Sequence, residues 1–195
     1  MVAGTAGNVS AREGDVVAIT PAGAKMKTLT ADAVCLVALD GTVLDGPFKP
    51  TTELELHLGV YRARADVGGV VHTHSMMASA LSTVLTEVPV IHYQQLLLGG
   101  TLRVAPFNPF GSQQLADDVR DALADRQAAL MANHGTVTIG TDLSGALDNA
   151  IMLEWLCKMS WHALAIGQPR VLDEAQQMAV IEAAIANSYG SVQSR

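Results

Sequence analysis

The amino-acid sequence predicts an α/β fold in three layers, αβα, with a central, mostly antiparallel sheet flanked by helices. Three observations predict it. Short apolar runs of strand length recur along the chain, bounded by Gly, Pro, Asp and Asn. Several of these runs are separated only by tight turns, which suits antiparallel neighbours better than the long crossovers of a parallel sheet. Segments with helical periodicity and recognisable caps fill the remainder. The 195 residues suffice for one domain with a substantial core, and the whole chain, 1–195, reads as that domain. Hydrophobic residues make up 49% but aromatics only 4%, so the core must be mostly Ala, Val, Leu and Ile.

In chain order, residues 15–20 read as a strand running into the turn Pro21-Ala22-Gly23, and residues 34–39 as a second strand closed by the hairpin signal Asp40-Gly41. Thr51 or Thr52 can cap a helix over residues 53–64, with Leu54, Leu58 and Tyr61 on one face. Residues 70–74 form a strand and 76–85 a helix. Residues 102–106 and 128–132 make two further strands around a helix at 112–124, and 136–139 one more short strand. A long helix over 143–166 is stopped by Gly167 and Pro169. A final helix, 173–187, precedes the tail Ser188-Tyr189-Gly190.

His72 and His74 stand one residue apart on the strand 70–74, so both imidazoles point to one face. His134, in Ala132-Asn133-His134-Gly135 after the apolar run 128–131, is a third candidate donor. Neutral imidazoles with one coordination position left open equip a catalytic zinc or similar divalent ion. For any one of these histidines alone, packing or hydrogen bonding at a strand end is the alternative. The formal net charge of -7 argues against nucleic acid or an anionic membrane as partner. It leaves room for an anionic small molecule, which backbone N–H groups and a local cation can hold.

Three segments could bind such an anion. Gly4-Thr5-Ala6-Gly7-Asn8-Val9-Ser10 could form a glycine-rich loop around a phosphate, or an ordinary turn. Thr20-Pro21-Ala22-Gly23 follows a strand and could add N–H groups. Lys49-Pro50-Thr51-Thr52-Glu53 is the stronger signal, because two hydroxyls at a helix start also gain from the helix dipole, whether or not they cap the helix. Glu53 reads either as a first-turn carboxylate or as a general base or releasable ligand beside the metal. Tyr93 fits a core aromatic, and His57, His92 and His162 read as structural. Cys35 and Cys157 form no disulfide framework and suit buried thiols in a reducing cytoplasm, the expected location. No secretory signal and no membrane-spanning segment is read.

Laid out in this order, the residues resemble the class II aldolase/adducin family, and within it the L-fuculose-1-phosphate aldolase branch. The resemblance covers nearly the whole sequence. It is carried by Gly4 to Ser10, Ile19-Thr20-Pro21-Ala22-Gly23, Lys49 to Glu53, Val70 to Ser75, Ile91-His92-Tyr93, Phe110-Gly111, Asn133-His134-Gly135 and Ser188-Tyr189-Gly190. It implies a zinc ion, with manganese or cobalt as alternatives, held by His72, His74 and His134. Glu53 would occupy the fourth position in the resting site and then act as base. The substrate phosphate would sit among Gly7, Asn8, Gly23, Thr51 and Thr52. Tyr93, as proton donor, and Tyr189 from a neighbouring subunit would shape the site for the aldehyde. The family assembles as a four-fold homotetramer with active sites between adjacent subunits.

The reaction so implied is a metal-dependent aldehyde-lyase cleavage of a ketose 1-phosphate, a small-molecule sugar phosphate, to dihydroxyacetone phosphate and an aldehyde. A divalent ion replaces the Schiff base, so Lys25, Lys27 and Lys49 are not needed as nucleophiles. Ala22 stands where the family often has a hydroxyl residue, and Phe107 where near relatives have tyrosine. The sequence begins almost at the glycine-rich loop, so the helix that relatives carry before it is expected to be absent, through truncation or a late-assigned start. Competing branches are the ribulose-5-phosphate 4-epimerases, which have an aspartate at the position of Glu53, and the methylthioribulose-1-phosphate dehydratases. A non-catalytic adducin-like interaction module is the competitor from another class; it would need neither the three histidines nor Glu53.

Overall fold

Gly14 turns the chain between its first two strands. With φ at +58°, it opens the two-residue loop Gly14-Asp15 that joins β1 (Asn8–Glu13) to β2 (Val16–Ile19), the place where such a hairpin asks for glycine. The computed structural model describes residues 2 and 4–189. Within them follow β3 (Cys35–Ala38), β4 (Val43–Asp45), β5 (Gly69–Thr73), β6 (Glu87–Val88), β7 (Leu102–Ala105), β8 (Ala128–Met131) and β9 (Gly135–Gly140). They form one open sheet in the order β4-β3-β2-β1-β5-β9-β8-β7-β6. Every pairing is antiparallel except that of β7 with β8, so the mostly antiparallel sheet expected from the tight turns is the one formed.

The period-two alternation of the strands sorts their side chains onto two faces. Val70, Ala129, Met131, Val137 and Ile139 join the core under α1 (Leu54–Ala63) and α3 (Gln113–Ala122). Val71, Ala128 and Leu130 pack under α2 (Met76–Ser82) and α4 (Leu143–Ile166) on the other side. The result is the expected three layers. α5 (Glu174–Ala186) stands apart: it packs against the 3-10 segment Tyr93–Leu98, and none of its side chains is buried. Among the described residues no helix is long and apolar enough to cross a membrane.

The long helix matches its expected span because its signals are local: the Asp142 carboxylate accepts the Gly145 N–H at 2.7 Å, and Gly167 ends it. Other expectations are corrected. The glycine-rich loop gives way at Asn8 to β1, a strand between β2 and β5. The strand expected over 70–74 ends at Thr73. The N-cap of α1 is Glu53 rather than Thr51 or Thr52; Thr51 Oγ1 accepts the Glu53 N–H at 3.3 Å, and the Glu53 side chain makes no cap bond. Strands β4 and β6 and the segment Tyr93–Leu98 were not read from the sequence. Both cysteines are buried free thiols. Gly190 of the expected tail lies outside the described residues.

Candidate active site

Three chain segments bring the histidines together. His72 lies in β5, on the α1 side of the sheet that Val70 marks. His74 follows one residue beyond the strand's end, in a loop pinned by Thr73 Oγ1, which bonds Ser75 Oγ at 2.8 Å and Thr136 Oγ1 at 2.9 Å. That loop leads into α2, whose first N–H groups, of Met77 and Ala78, donate to the Glu154 carboxylate on α4. His134 sits in the turn between β8 and β9, where Asn133 takes a left-handed φ of 56°. Because β9 pairs with β5, with His72 opposite Val137, this turn arrives beside the His72–His74 pair.

The three rings form a nearly equilateral triangle, with centroids 4.9, 5.0 and 4.9 Å apart. Gly135 makes that approach possible. A Cβ there would stand 2.4 Å from Thr73 O, 3.2 Å from His74 Cδ2 and 3.3 Å from His72 Cε1. His72 Nδ1–H donates to the Thr136 carbonyl at 2.9 Å, which leaves Nε2 as the free donor atom of that ring. His72 Nε2 is 3.1 Å from His74 Nε2 and 3.2 Å from Glu53 Oε2, and His134 Nε2 is 3.4 Å from Glu53 Oε1.

These residues fit a divalent cation. Tetrahedral donors about 2.0–2.1 Å from one ion lie about 3.3 Å from each other; the His72–His74, His72–Glu53 and His134–Glu53 contacts match that spacing, and the three imidazole donor atoms all lie within 4.8 Å of one another. Glu53 Oε1 is buried and makes no hydrogen bond among the described residues, an orphaned acceptor that a cation would satisfy. Burial, followed by the charge of His72, pushes His134 down to about 4 and lowers His74 as well. Both imidazoles are therefore neutral near pH 7, as ligands must be. Burial raises the Glu53 carboxyl, but hydrogen bonds and charge from His72, then Asn8 and His134, outweigh it and bring Glu53 to about 2.

His74 and His134 open onto a cavity of about 860 Å³. Gly7, Asn8, Gly23, Thr51 and Thr52, the residues expected around a phosphate, all line it, together with Glu53, His74 and His134. Gly7, at φ +82°, lets the backbone pass close to His72, and Gly111 does the same against the Thr52 carbonyl, where a Cβ would fall 2.7 Å away. The Asn8 side chain is engaged by Glu53 and His57: its Nδ2 donates to Glu53 Oε2 at 2.9 Å and its Oδ1 meets His57 Nε2 at 2.5 Å. His57, read as structural, is fully buried there; its place beside the Glu53 partner was not apparent from the sequence.

Tyr93 and Tyr189 lie elsewhere within one chain. Their hydroxyls meet each other at 3.4 Å on a second, apolar cavity of about 740 Å³ beneath α5, lined also by Leu97, Ile181 and Ile185. Tyr93 is exposed, and its hydrogen bond with Tyr189 raises its phenol above the usual range.

The model of the family described as Class II Aldolase and Adducin N-terminal domain matches residues 1–161. The chain is 36% identical over 173 residues to the 5-deoxy-D-ribulose 1-phosphate aldolase of Bacillus thuringiensis serovar kurstaki, covering 88% of this chain and 81% of that protein. It is 33% identical over 180 residues to the 5-methylthioribulose-1-phosphate/5-deoxyribulose-1-phosphate aldolase of Rhodospirillum rubrum, covering 92% and 81%. Among solved structures it is similar to an L-fuculose 1-phosphate aldolase, with a TM-score of 0.88, 28% identity and coverage of 92% of this chain and 86% of that one.

Proposed function

The chain belongs to the Class II Aldolase and Adducin N-terminal domain family, and on that premise we propose that it is a metal-dependent aldolase cleaving a ketose 1-phosphate to dihydroxyacetone phosphate and an aldehyde. The observation that carries this reading is the set of four donors: three imidazoles whose donor nitrogens all lie within 4.8 Å of one another, and the buried Glu53 carboxylate 3.2 Å from His72 and 3.4 Å from His134. A non-catalytic member has no use for a buried carboxylate with an unsatisfied oxygen. His72, His74 and His134 would hold a divalent ion, zinc or else manganese or cobalt. When bound, it would supply the positive charge that stabilises an enediolate.

The chain's own residues then divide the work. Backbone N–H groups near Gly7 and Gly23 and the hydroxyls of Thr51 and Thr52 take the phosphate at the start of α1, where the helix dipole favours an anion. In the cleavage direction the hydroxyl beyond the scissile carbon–carbon bond loses its proton and the bond's electron pair moves into the carbonyl. The aldehyde leaves, and a proton returns to the enediolate carbon. Glu53, at the cavity floor, handles that carbon-bound proton, removing it in condensation and restoring it in cleavage. Tyr93 handles the aldehyde oxygen: its phenol donates the proton in condensation and, as the phenolate, takes the hydroxyl proton in cleavage. Because Tyr93 and Tyr189 lie off the histidine cavity of their own chain, they serve it across a subunit boundary, in a homotetramer with sites between adjacent subunits.

The test is turnover of a panel of ketose 1-phosphates, with fuculose, rhamnulose and 5-deoxypentulose phosphates included, by purified protein supplied with divalent metal. Release of dihydroxyacetone phosphate is expected. Isomerised pentose phosphate without cleavage, or loss of water, would replace this reading with the epimerase or the dehydratase. Glu53→Gln should retain metal and lose turnover by roughly 100-fold or more, the usual worth of a positioned proton-transfer group. Unchanged turnover would remove Glu53 from that role.

A further inference from the structure

We propose that His57 is a positioning residue for the Glu53 carboxylate, acting through Asn8 in a buried hydrogen-bond chain that runs Glu53–Asn8–His57–Ser10–Tyr61. This rests on the reading of Glu53 as the proton-transfer group and adds the device that aims it.

The chain exists because two ladders keep step. Glu53, His57 and Tyr61 are four residues apart at the start of and along α1, and four helical residues rise about 6.0 Å. Facing them on β1, Asn8, Ser10 and Arg12 are two apart, and two strand residues advance about 6.6 Å. Each helix side chain therefore meets a strand side chain. Asn8 Nδ2 lies 2.9 Å from Glu53 Oε2, and His57 Nε2 lies 2.5 Å from Asn8 Oδ1. Ser10 Oγ lies 2.7 Å from His57 Nδ1 and 2.8 Å from Tyr61 Oη. At the far end Arg12 donates to the Tyr61 carbonyl at 2.9 Å, with its guanidinium carbon 5.4 Å from the Tyr61 ring centroid. Asn8, Ser10, Glu53, His57 and Tyr61 are all buried.

An ionised carboxylate can only accept, and this fixes every proton in the chain. Asn8 must offer Glu53 its amide N–H, which turns Oδ1 toward His57. His57 must then carry its proton on Nε2, and Nδ1 must accept from the Ser10 hydroxyl. Ser10 in turn accepts from Tyr61. His57 is neutral in this arrangement, as burial, which pushes it down to about 3, requires. With no donor at position 57, Asn8 Oδ1 loses its partner and the amide is held only by its bond to the carboxylate, so Glu53 loses the fixed orientation on which proton transfer to carbon depends.

The prediction is read in metal-loaded protein. His57→Leu should lower kcat by about 10–100-fold, as removal of an outer hydrogen-bond partner does, with metal content retained. His57→Gln, which can present an amide N–H to Asn8, should recover most of the loss. In a Glu53→Gln background His57→Leu should change kcat no further, whereas a merely structural role would lower it again. In the unsubstituted protein, nitrogen-15 NMR should find His57 as the Nε2–H tautomer. The Nδ1–H tautomer, or an additive double substitution, overturns the proposal. Loss of turnover in Glu53→Gln with unchanged kcat in His57→Leu overturns the positioning role alone. Unchanged turnover in Glu53→Gln removes the base reading, and this proposal falls with it.

Discussion

Two cavities of this chain, of about 860 and 740 Å³, are built on opposite principles. The histidine cavity is walled by the ends of β1 and β5, the β8–β9 turn and the start of α1, and its floor residues are held by side-chain and backbone hydrogen bonds. The cavity beneath α5 is held differently. α5 keeps its shape through its own Asp173–Gln176 capping box, while Met178, Ile181 and Ile185 remain exposed. In the first region the histidines, Glu53 and their hydrogen-bond partners all come from one chain; the second presents apolar surface that a single chain leaves uncovered. The residues proposed to carry the chemistry divide along the same line, with Glu53 and the histidines in the first region and the two tyrosines in the second.

The sharpest way to break this contrast is to add one methyl group to the first region. In Gly135→Ala the new Cβ would fall 2.4 Å from Thr73 O and within 3.3 Å of two of the imidazoles. The histidine triangle must open, so bound metal should drop well below one per chain. Turnover should fall by roughly 100-fold, the size of effect a displacement of about 1 Å produces. Metal analysis beside circular dichroism decides it: full metal content with normal turnover would mean the site tolerates looseness.

The converse change acts on the second region. Ile185 is 76% exposed, so Ile185→Asp should leave the isolated subunit folded. If α5 meets a neighbouring subunit, a charge placed there should weaken association by at least about tenfold, since it would be desolvated without a partner. Sedimentation velocity should show smaller species, with metal content unchanged. An assembly of unaltered size and strength would show that this face is not buried against another subunit.

The same division explains what could be read in the sequence. α4 was legible because its signals are local, from the Asp142 cap to the Gly167 stop. β1 was not, because its site-facing positions carry Asn8, Ser10 and Arg12, which erase the apolar alternation that marks a strand. The polar contacts those residues make with α1 hid the strand they form. The convergence of His134 on His72 and His74 depends on the pairing of β5 with β9, a register that no short window contains. His57 looked structural because a lone histidine on an apolar helix face usually is; its place in the network appears only when the spacing of Glu53, His57 and Tyr61 is set against β1.

The gentlest test uses acid against the first region. His57 is fully buried and neutral, with its pKa pushed from 6.5 down to about 3 by burial and then by the charge of His72. On unfolding it regains the higher value, so between about 3 and 6.5 the unfolded chain binds more protons than the folded one. Stability from this group is therefore fully present above pH 6.5 and is lost as pH falls through that window. His57→Gln removes the titration while keeping a donor for Asn8. Urea unfolding of both proteins across that range should show the parent losing stability more steeply, by up to about 1.4 kcal/mol per pH unit. Above pH 7 the difference between them should be constant. Parallel curves throughout would mean that water reaches His57 and protonates it in the folded state, and the buried chain behind Glu53 would then be open rather than sealed.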